Sequence, residues 1–326
     1  MLRRQDVGHR VVVRRIIGIR GERPLFSDAL GELVALSETD LTLATAAGPL
    51  RVPLRDVHRA KRVPPARRPT AAHVAAVELA ANEAWPAPVQ DRLGDWLLRS
   101  AEGWTGRANS ALPVGDPDRP LADAIDAVQR WYAERGQPAM MNVPLPLAAP
   151  VGVALDERGW GSRPLTLVQT APLAALLNAL PERPDLPPVA LTPAPSDAWL
   201  AMAAARKAGP GTPLPAAALH LLTAVDRVRF AHLYGESGEL VAVARGTVTG
   251  AGRWLGVVLV EVVPAERRRG LAQHVLRALA GWGADAGARD AFLQVEERNT
   301  GAVALYARLG FRTHHTYLTR VAPDAG

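Results

Sequence analysis

The 326-residue chain contains no cysteine, which excludes disulfides, thiolate metal sites, iron–sulfur clusters and a cysteine nucleophile together. Lysine is nearly absent. Of the 38 basic residues only Lys61 and Lys207 are lysines, so the net charge of +6 is carried by arginine. No run of about 18 apolar residues occurs, and the opening MLRRQDVGHRVVVRR has charge without a continuous apolar stretch leading to a cleavage site. Neither a membrane span nor a secretory leader is therefore expected, and the cytoplasm is the default location. There is no Walker phosphate loop and no HExxH, and no metal is expected. What is present is a globular composition, 48% hydrophobic and 21% charged, with a length near two domains at roughly 150 residues each. An arginine-borne positive field favours anionic ligands such as phosphorylated cofactors. Nucleic acid is the lesser reading, since the basic run HRAKRVPPARRP more commonly means a solvated linker.

Residues 9–63 alternate apolar and polar positions with turn residues at short intervals. Val11, Val13, Ile17, Ile19, Leu33, Leu41, Leu43, Leu50 and Val52 would line one small core, with turns at Ser37 to Asp40 and Ala46 to Pro49, giving a five-stranded β-barrel over residues 1–65. The stretch RVPPARRPT (62–70) reads as a linker. Residues 70–185 alternate helices and short strands: a helix in AAHVAAVELAANEAW, a hairpin in GDWLLRSAEGWTGRANSALPVG, an amphipathic helix ending at Gly136, and a strand at Leu165 to Gln169. The proline-rich PERPDLPPVALTPAPSD marks a second boundary, with a strand at Val189 to Leu191. From Ser196, a helix N-cap, strands are expected at Arg227–Leu233, Leu240–Val248, Trp254–Val262, Ala291–Val295 and Thr313–Thr319. Helices are expected at Asp197–Lys207, Arg269–Asp285 and Thr300–Leu309, which makes 188–322 an α+β domain.

The chemistry concentrates in two segments. In VVLVEVVPAERRRGLA (257–272) an apolar strand ends at Pro264, a loop carries Arg267, Arg268 and Arg269, and a helix starts near Gly270, with Leu271, Val275, Leu279 and Trp282 inward. Such a turn points unpaired N–H groups of the first helical turn at one spot, and small residues at 270 and 272 let an anion approach the main chain. In LQVEERNTGAVALYARLGF (293–311), Asn299 and Tyr306 lie two helical turns apart on one face, with Gly310 as the helix stop.

Together the segments resemble the GNAT superfamily of acetyl-CoA-dependent N-acetyltransferases. Its pyrophosphate motif is matched by Arg267, Gly270 and Ala272, after the strand-to-proline lead-in at Val262 and Pro264. Its later motif is matched by Asn299, Ala302, Leu305, Tyr306, Gly310 and Phe311. The resemblance implies a GNAT fold, a mixed central sheet flanked by helices, with acetyl-CoA as donor. It implies that the main chain of Arg268, Arg269, Gly270, Leu271 and Ala272 holds the pyrophosphate and that Val262 and Val263 pair with the pantetheine arm. Asn299 and Ala302 would also meet the arm, Tyr306 would protonate the departing thiolate, and a backbone N–H at a splayed or bulged part of the 257–263 strand would polarise the thioester carbonyl. The middle region resembles a degenerate GNAT-like half without its own CoA motif, in which Arg107 to Ser110 would either wall the acceptor pocket or form a plain hairpin. The front module is similar to the SH3-like module of actinobacterial members.

The general base is the open position. Glu261 is the first candidate because it lies on the central strand just before the cradle, with Glu296, Glu297 or a water relay next; Gly256, Val258 and Gln294 stand where some relatives carry a catalytic Glu or His. The acceptor is a primary amine of a protein or of a small molecule. A CoA-sensing or protein-binding module without turnover is the alternative, and nothing in the sequence fixes the oligomeric state. Gly281, Gly283 and Gly287 end a helix and do not make a dinucleotide loop. The adjacent His314 and His315 would point to opposite faces of a strand, and Met140 and Met141 would fill a core gap.

Overall fold

The computed structural model describes residues 2–21, 23–45, 48–63, 69–208 and 214–323. The chain divides into two compact units, Met1–Arg68 and Pro69–Gly326. Most of the expected linker (64–68) and part of the expected turn at Ala46 to Pro49 lie outside the described residues.

The first unit is one antiparallel sheet of β1 (Arg10–Arg20), β2 (Arg23–Leu36), β3 (Asp40–Thr45), β4 (Gly48–Pro53) and β5 (Val57–Arg62). Its order is β4-β3-β2-β1-β5. Among the described residues β4 and β5 do not pair, so the five expected strands form an open sheet and not a closed barrel. Val11, Val13, Leu33, Leu41, Leu43 and Val52 are buried on one face, as alternation requires. Ile17 and Ile19 depart from expectation, being 57% and 73% exposed. The register shifts between Ile16 and Gly18, and β5 stops pairing with β1 at Arg15. Beyond that point, among the described residues, no third strand pairs with the β1–β2 ribbon. The expected β2–β3 turn is tied by the Ser37 N–H donating to the Asp40 carbonyl at 2.8 Å.

The second unit runs α1 (Ala71–Glu83), β6 (Val89–Leu93), β7 (Trp96–Ser100), α2 (Leu121–Ala133), β8 (Met140–Leu145), α3 (Ala149–Glu157), β9 (Gly161–Ser162), β10 (Thr166–Pro172) and α4 (Leu173–Ala179). It continues with β11 (Ala190–Thr192), α5 (Asp197–Ala208), α6 (Ala216–Thr223), β12 (Val228–Tyr234), β13 (Leu240–Thr249), β14 (Trp254–Val262), α7 (Leu271–Asp285), β15 (Asp290–Glu296), α8 (Thr300–Arg308) and β16 (Arg312–Val321). Among the described residues no helix is long and apolar enough to cross a membrane.

Nine of these strands form one mixed sheet in the order β11-β12-β13-β14-β15-β10-β16-β8, with β9 beside β16. The residues read as a separate middle region therefore share a sheet with those read as the carboxy-terminal domain. β10 is hydrogen-bonded to β15 on one side and to β16 on the other. Its physical reason is composition: Leu167, Val168 and Ala171 are buried on alternate faces, and a strand apolar on both faces belongs inside a sheet. The expected hairpin in 94–115 also shifts. β7 pairs with β6, which precedes it, and only an isolated bridge joins Leu97 to Leu112.

Helices cover both faces of the sheet. On one side α7 buries Leu271, Val275, Leu276, Leu279 and Ala280 against Val257, Leu293 and Val295, each leucine or valine contributing about 1.5–3 kcal/mol of transfer free energy. On the other, Val77, Ala80 and Ala81 of α1 pack against Val168, Phe292 and Tyr317. Met141 fills the small core beneath α2. Arg245 on β13 is fully buried and donates to the Leu222 and Leu221 carbonyls of α6 and the Ala84 carbonyl at the end of α1, at 2.8, 3.3 and 2.9 Å. One guanidinium thus satisfies carbonyls left over at two helix C-termini, where a cation is favoured.

Candidate active site

β14 and β15 run parallel and pair only from Trp254 opposite Asp290 to Val257 opposite Leu293. Beyond that point both strands continue, β14 to Val262 and β15 to Glu296, with no pairing between them. The sheet opens there. The opening is sharpened by a bulge, because the register of β14 on β13 shifts between Glu261 and Val258, and Leu259 sits at φ 55°. A bulge leaves an extra residue out of the ladder and re-aims the local peptide groups.

A cavity of about 460 Å³ occupies this opening, walled by Val257 to Val260 on one side and Leu293 to Glu296 on the other. Asn299, Ala302 and Tyr306 close it on the α7–α8 side, while Trp85, Thr105, Arg107, Thr166 and Tyr317 line the α1 side. The cavity thus reaches through the sheet. Its volume lies at the small end of the range for ligand pockets, roughly 300–1,000 Å³.

At the far end of β14 the chain turns into α7 through two left-handed residues, Arg268 at φ 67° and Gly270 at φ 86°. The first helical hydrogen bond runs from the His274 N–H to the Gly270 carbonyl. Among the described residues, the N–H groups of Arg268, Arg269, Gly270, Leu271, Ala272 and Gln273 donate to no recorded acceptor, the arrangement that receives a phosphate. Arg267 turns its Nε back to the Val262 carbonyl at 3.2 Å, which puts that carbonyl on the open edge of β14. The Val263 N–H is spent on the Val241 carbonyl at 3.0 Å. Arg269 pairs with Glu266. Arg183, in the stretch read as a boundary, donates to the Arg269 carbonyl at 2.9 Å and pairs with Asp185, which it holds down to about 2. No sequence pattern at Arg183 announces this position.

Asn299, a lining residue, caps α8, its side-chain oxygen accepting from the Ala302 N–H at 3.3 Å. Tyr306 is 9% exposed and meets Phe311 edge-on. Of the three carboxylates considered as base, only Glu296 lines the cavity, and it is paired with Arg298 at 2.5 Å. Glu261 and Glu297 lie outside the lining. Of the positions where a base is missing, Gly256 is filled from across by the Phe292 ring, which a Cβ there would meet at 2.6 Å. Gln294 lines the cavity and accepts from the Tyr317 hydroxyl at 3.3 Å. Burial pushes the Tyr317 phenol up, so it stays a donor.

The two adjacent histidines do not point apart. The register of β16 on β10 shifts between His315 and Thr313, and the bulge brings the His314 and His315 Nδ1 atoms to 2.9 Å. His315 Nε2 meets the buried Glu78 carboxylate at 2.7 Å.

The family described as "Probable histone acetyltransferase Rv0428c C-terminal" matches residues 71–319. The chain belongs to this family of GNAT acetyltransferases. A Mycobacterium tuberculosis protein named probable histone acetyltransferase Rv0428c is 31% identical over 304 residues, 90% of this chain and 89% of that protein. A Bacillus subtilis protein named uncharacterized N-acetyltransferase YobR is 27% identical over 258 residues, 75% of this chain and 98% of that one. Among solved structures, a GCN5-related N-acetyltransferase from Kribbella flavida superposes with a TM-score of 0.56 at 20% identity, over 80% of this chain and 98% of that one. A tandem GNAT protein from the clavulanic acid pathway gives 0.51 at 15% identity, over 81% of this chain and 91% of that one. These likenesses establish the GNAT fold for the second unit's sheet and helices.

Proposed function

We propose that this protein moves the acetyl group of acetyl-CoA to a primary amine by direct attack, with no covalent enzyme intermediate. The observations that carry the reading are the opening between β14 and β15 and, where β14 runs on into α7, the N–H groups of Arg268 to Gln273 left without an acceptor. A pyrophosphate at those N–H groups directs the pantetheine arm along the open edge of β14, past Val262 and Asn299, and brings the thioester into the cavity. The peptide groups at the Leu259 bulge then face the carbonyl oxygen, where an oriented N–H stabilises developing negative charge. The amine nitrogen attacks the carbonyl carbon, the carbon–sulfur bond breaks, and the thiolate takes the Tyr306 proton. The proton lost by the amine passes to Glu296 or to water.

Steady release of free CoA thiol with a panel of amines tests the reaction, and Tyr306→Phe tests the route. The variant should turn over roughly ten- to a thousandfold more slowly while its acetyl-CoA affinity stays within about threefold. Equal turnover, measured where the chemical step limits the rate, removes Tyr306 from the mechanism.

One observation favours a second reading. Glu296 is the only one of the three candidate carboxylates in the cavity, and Arg298 already engages it, which suits a module that binds CoA without turnover. Thiol release with any amine excludes that module. The name of the Mycobacterium tuberculosis relative points to a protein acceptor for that protein; for this chain the amine panel decides between a protein and a small molecule.

A further inference from the structure

The α1 side of the cavity carries a charge that, among the described residues, makes no ion pair. Arg107, in the short turn after β7, lines the cavity, and its Nη1 is buried without a hydrogen-bond partner. Among the described residues no carboxylate pairs with it; its recorded contact is with the Trp85 ring, 5.7 Å from its guanidinium carbon. Trp85 is itself held in place, stacked on Trp104 at 5.5 Å and donating from Nε1 to the Thr105 hydroxyl. The same ring lies 5.3 Å from Arg245, whose guanidinium is pushed down to about 9 by burial and then by the Arg107 charge. Arg99, buried nearby, spends its nitrogens on Ser110 and Asn82 and is pushed down to about 10, again chiefly by burial. Arg245 and Arg99 thus donate to neutral oxygens, and the carboxylate that acts on Arg99, buried Glu78, is bonded to His315 and not to Arg107.

A second orphan donor belongs to a residue of the same lining. The Tyr317 hydroxyl binds Gln294 Oε1, which fixes the amide so that Nε2 is the free end, and that Nε2 is buried without a partner. Arg107 and Gln294 both line this cavity, and each carries a buried nitrogen without a partner, a cost that a ligand oxygen reaching either group would remove. A carboxylate matches both, since a guanidinium and an amide N–H can each take one of its oxygens.

We propose that Arg107, assisted by Gln294, is the acceptor-recognition residue of this enzyme, and that the acceptor is a small amine bearing a carboxylate, of the amino-acid class. The inference rests on the acetyl-transfer reading above and names its substrate class. Small size follows from the cavity, whose roughly 460 Å³ is shared by the end of the pantetheine arm and the acceptor. A carboxylate held by Arg107 leaves the amine end to reach through the opening toward the Leu259 bulge.

The test uses the full chain and matched probes: glycine, β-alanine, 4-aminobutyrate and 6-aminohexanoate, each beside its amide, and a lysine-containing peptide without acidic residues. Acetyl transfer is read as kcat/KM, and equilibrium binding of each probe to the CoA complex is read by calorimetry. At one chain length or more, the acid should exceed its amide by about 10- to 100-fold, the scale of a charged hydrogen bond. Arg107→Gln should bring that ratio to near one, and Arg107→Lys should leave it intermediate. Because the ratio is taken within one protein, partial loss of folded material cancels. Equal use of acids and amides, a ratio that survives Arg107→Gln, or preference for the neutral lysine peptide overturns the proposal. Failure of the acetyl-transfer reading looks different: no probe is acetylated, yet the acid-over-amide preference persists in binding and disappears in Arg107→Gln.

Discussion

Gly270→Ala concentrates the reasoning about the anion cradle into one methyl group. The residue sits at φ 86°, and an added Cβ would lie 2.4 Å from Arg183 Nη1. Holding a non-glycine residue in the left-handed region costs about 1–2 kcal/mol. The contact with Arg183 adds to this, because the guanidinium must leave its 2.9 Å bond to the Arg269 carbonyl, a loss of about 0.5–1.5 kcal/mol at most for a largely solvated bond. A destabilisation near 2 kcal/mol corresponds to a drop of about 4–8 °C in Tm for a unit of this size. Gly281, farther along α7, supplies the control. A Cβ there meets nothing within 4 Å, and alanine is favoured over glycine inside a helix by about 1 kcal/mol, so Gly281→Ala should raise Tm by about 2–4 °C. The assay is thermal unfolding of both variants with and without acetyl-CoA, with the affinity taken by calorimetry. Gly270→Ala should also bind acetyl-CoA at least about tenfold more weakly, since relaxing the strain rotates the N–H groups away from one focus. A Gly270→Ala protein that melts at or above the wild type and binds acetyl-CoA equally well refutes the cradle geometry.

Two other outcomes follow from features already described. A chain shortened to begin at Pro69 should fold cooperatively and bind one acetyl-CoA with unchanged affinity, since that unit has its own sheet and holds the whole cavity lining; calorimetry showing no binding to folded material overturns this. His314 is pushed down to about 4, by burial first and then by the neighbouring His315 and His73 against the opposing pull of Glu78. An unfolded histidine takes its proton near 6.5, so between about pH 6.5 and 4 the unfolded chain binds a proton that the folded one refuses, and stability falls as pH falls through that window. Tm measured from pH 7 to 4 should decline less steeply in His314→Gln than in the wild type, and parallel curves refute the assignment.

Local pattern carried a large part of this molecule. The apolar run Trp254–Val262 places β14 with its observed limits, and the small residue after three arginines locates the start of α7. The octet Ala216–Thr223 was legible only in hindsight, as an apolar run behind Pro215 that forms α6. Other features have no local signature. Leu259 is an ordinary β-former, and its positive φ arises from the mismatch between β13 and β14. The placement of Arg107, in the turn after β7, and Gln294, on β15, in one cavity brings together residues far apart in the chain, which no spacing along it encodes. The histidine pair was misread for the same reason, because strict two-residue alternation fails at a bulge.

The interior position of β10 has a consequence in time. During synthesis its sequence emerges well before the strands that flank it, β15 (Asp290–Glu296) and β16 (Arg312–Val321). At about 5–20 residues per second the ribosome leaves β10 waiting on the order of ten seconds with both edges unpaired. The central sheet therefore closes only after more than a hundred further residues have followed β10, a long-range event of the kind that makes folding slow and exposes apolar strand edges to neighbouring chains. It also means that the residues from β11 onward, produced by themselves, would hold a sheet with a strand-wide gap between β15 and β16.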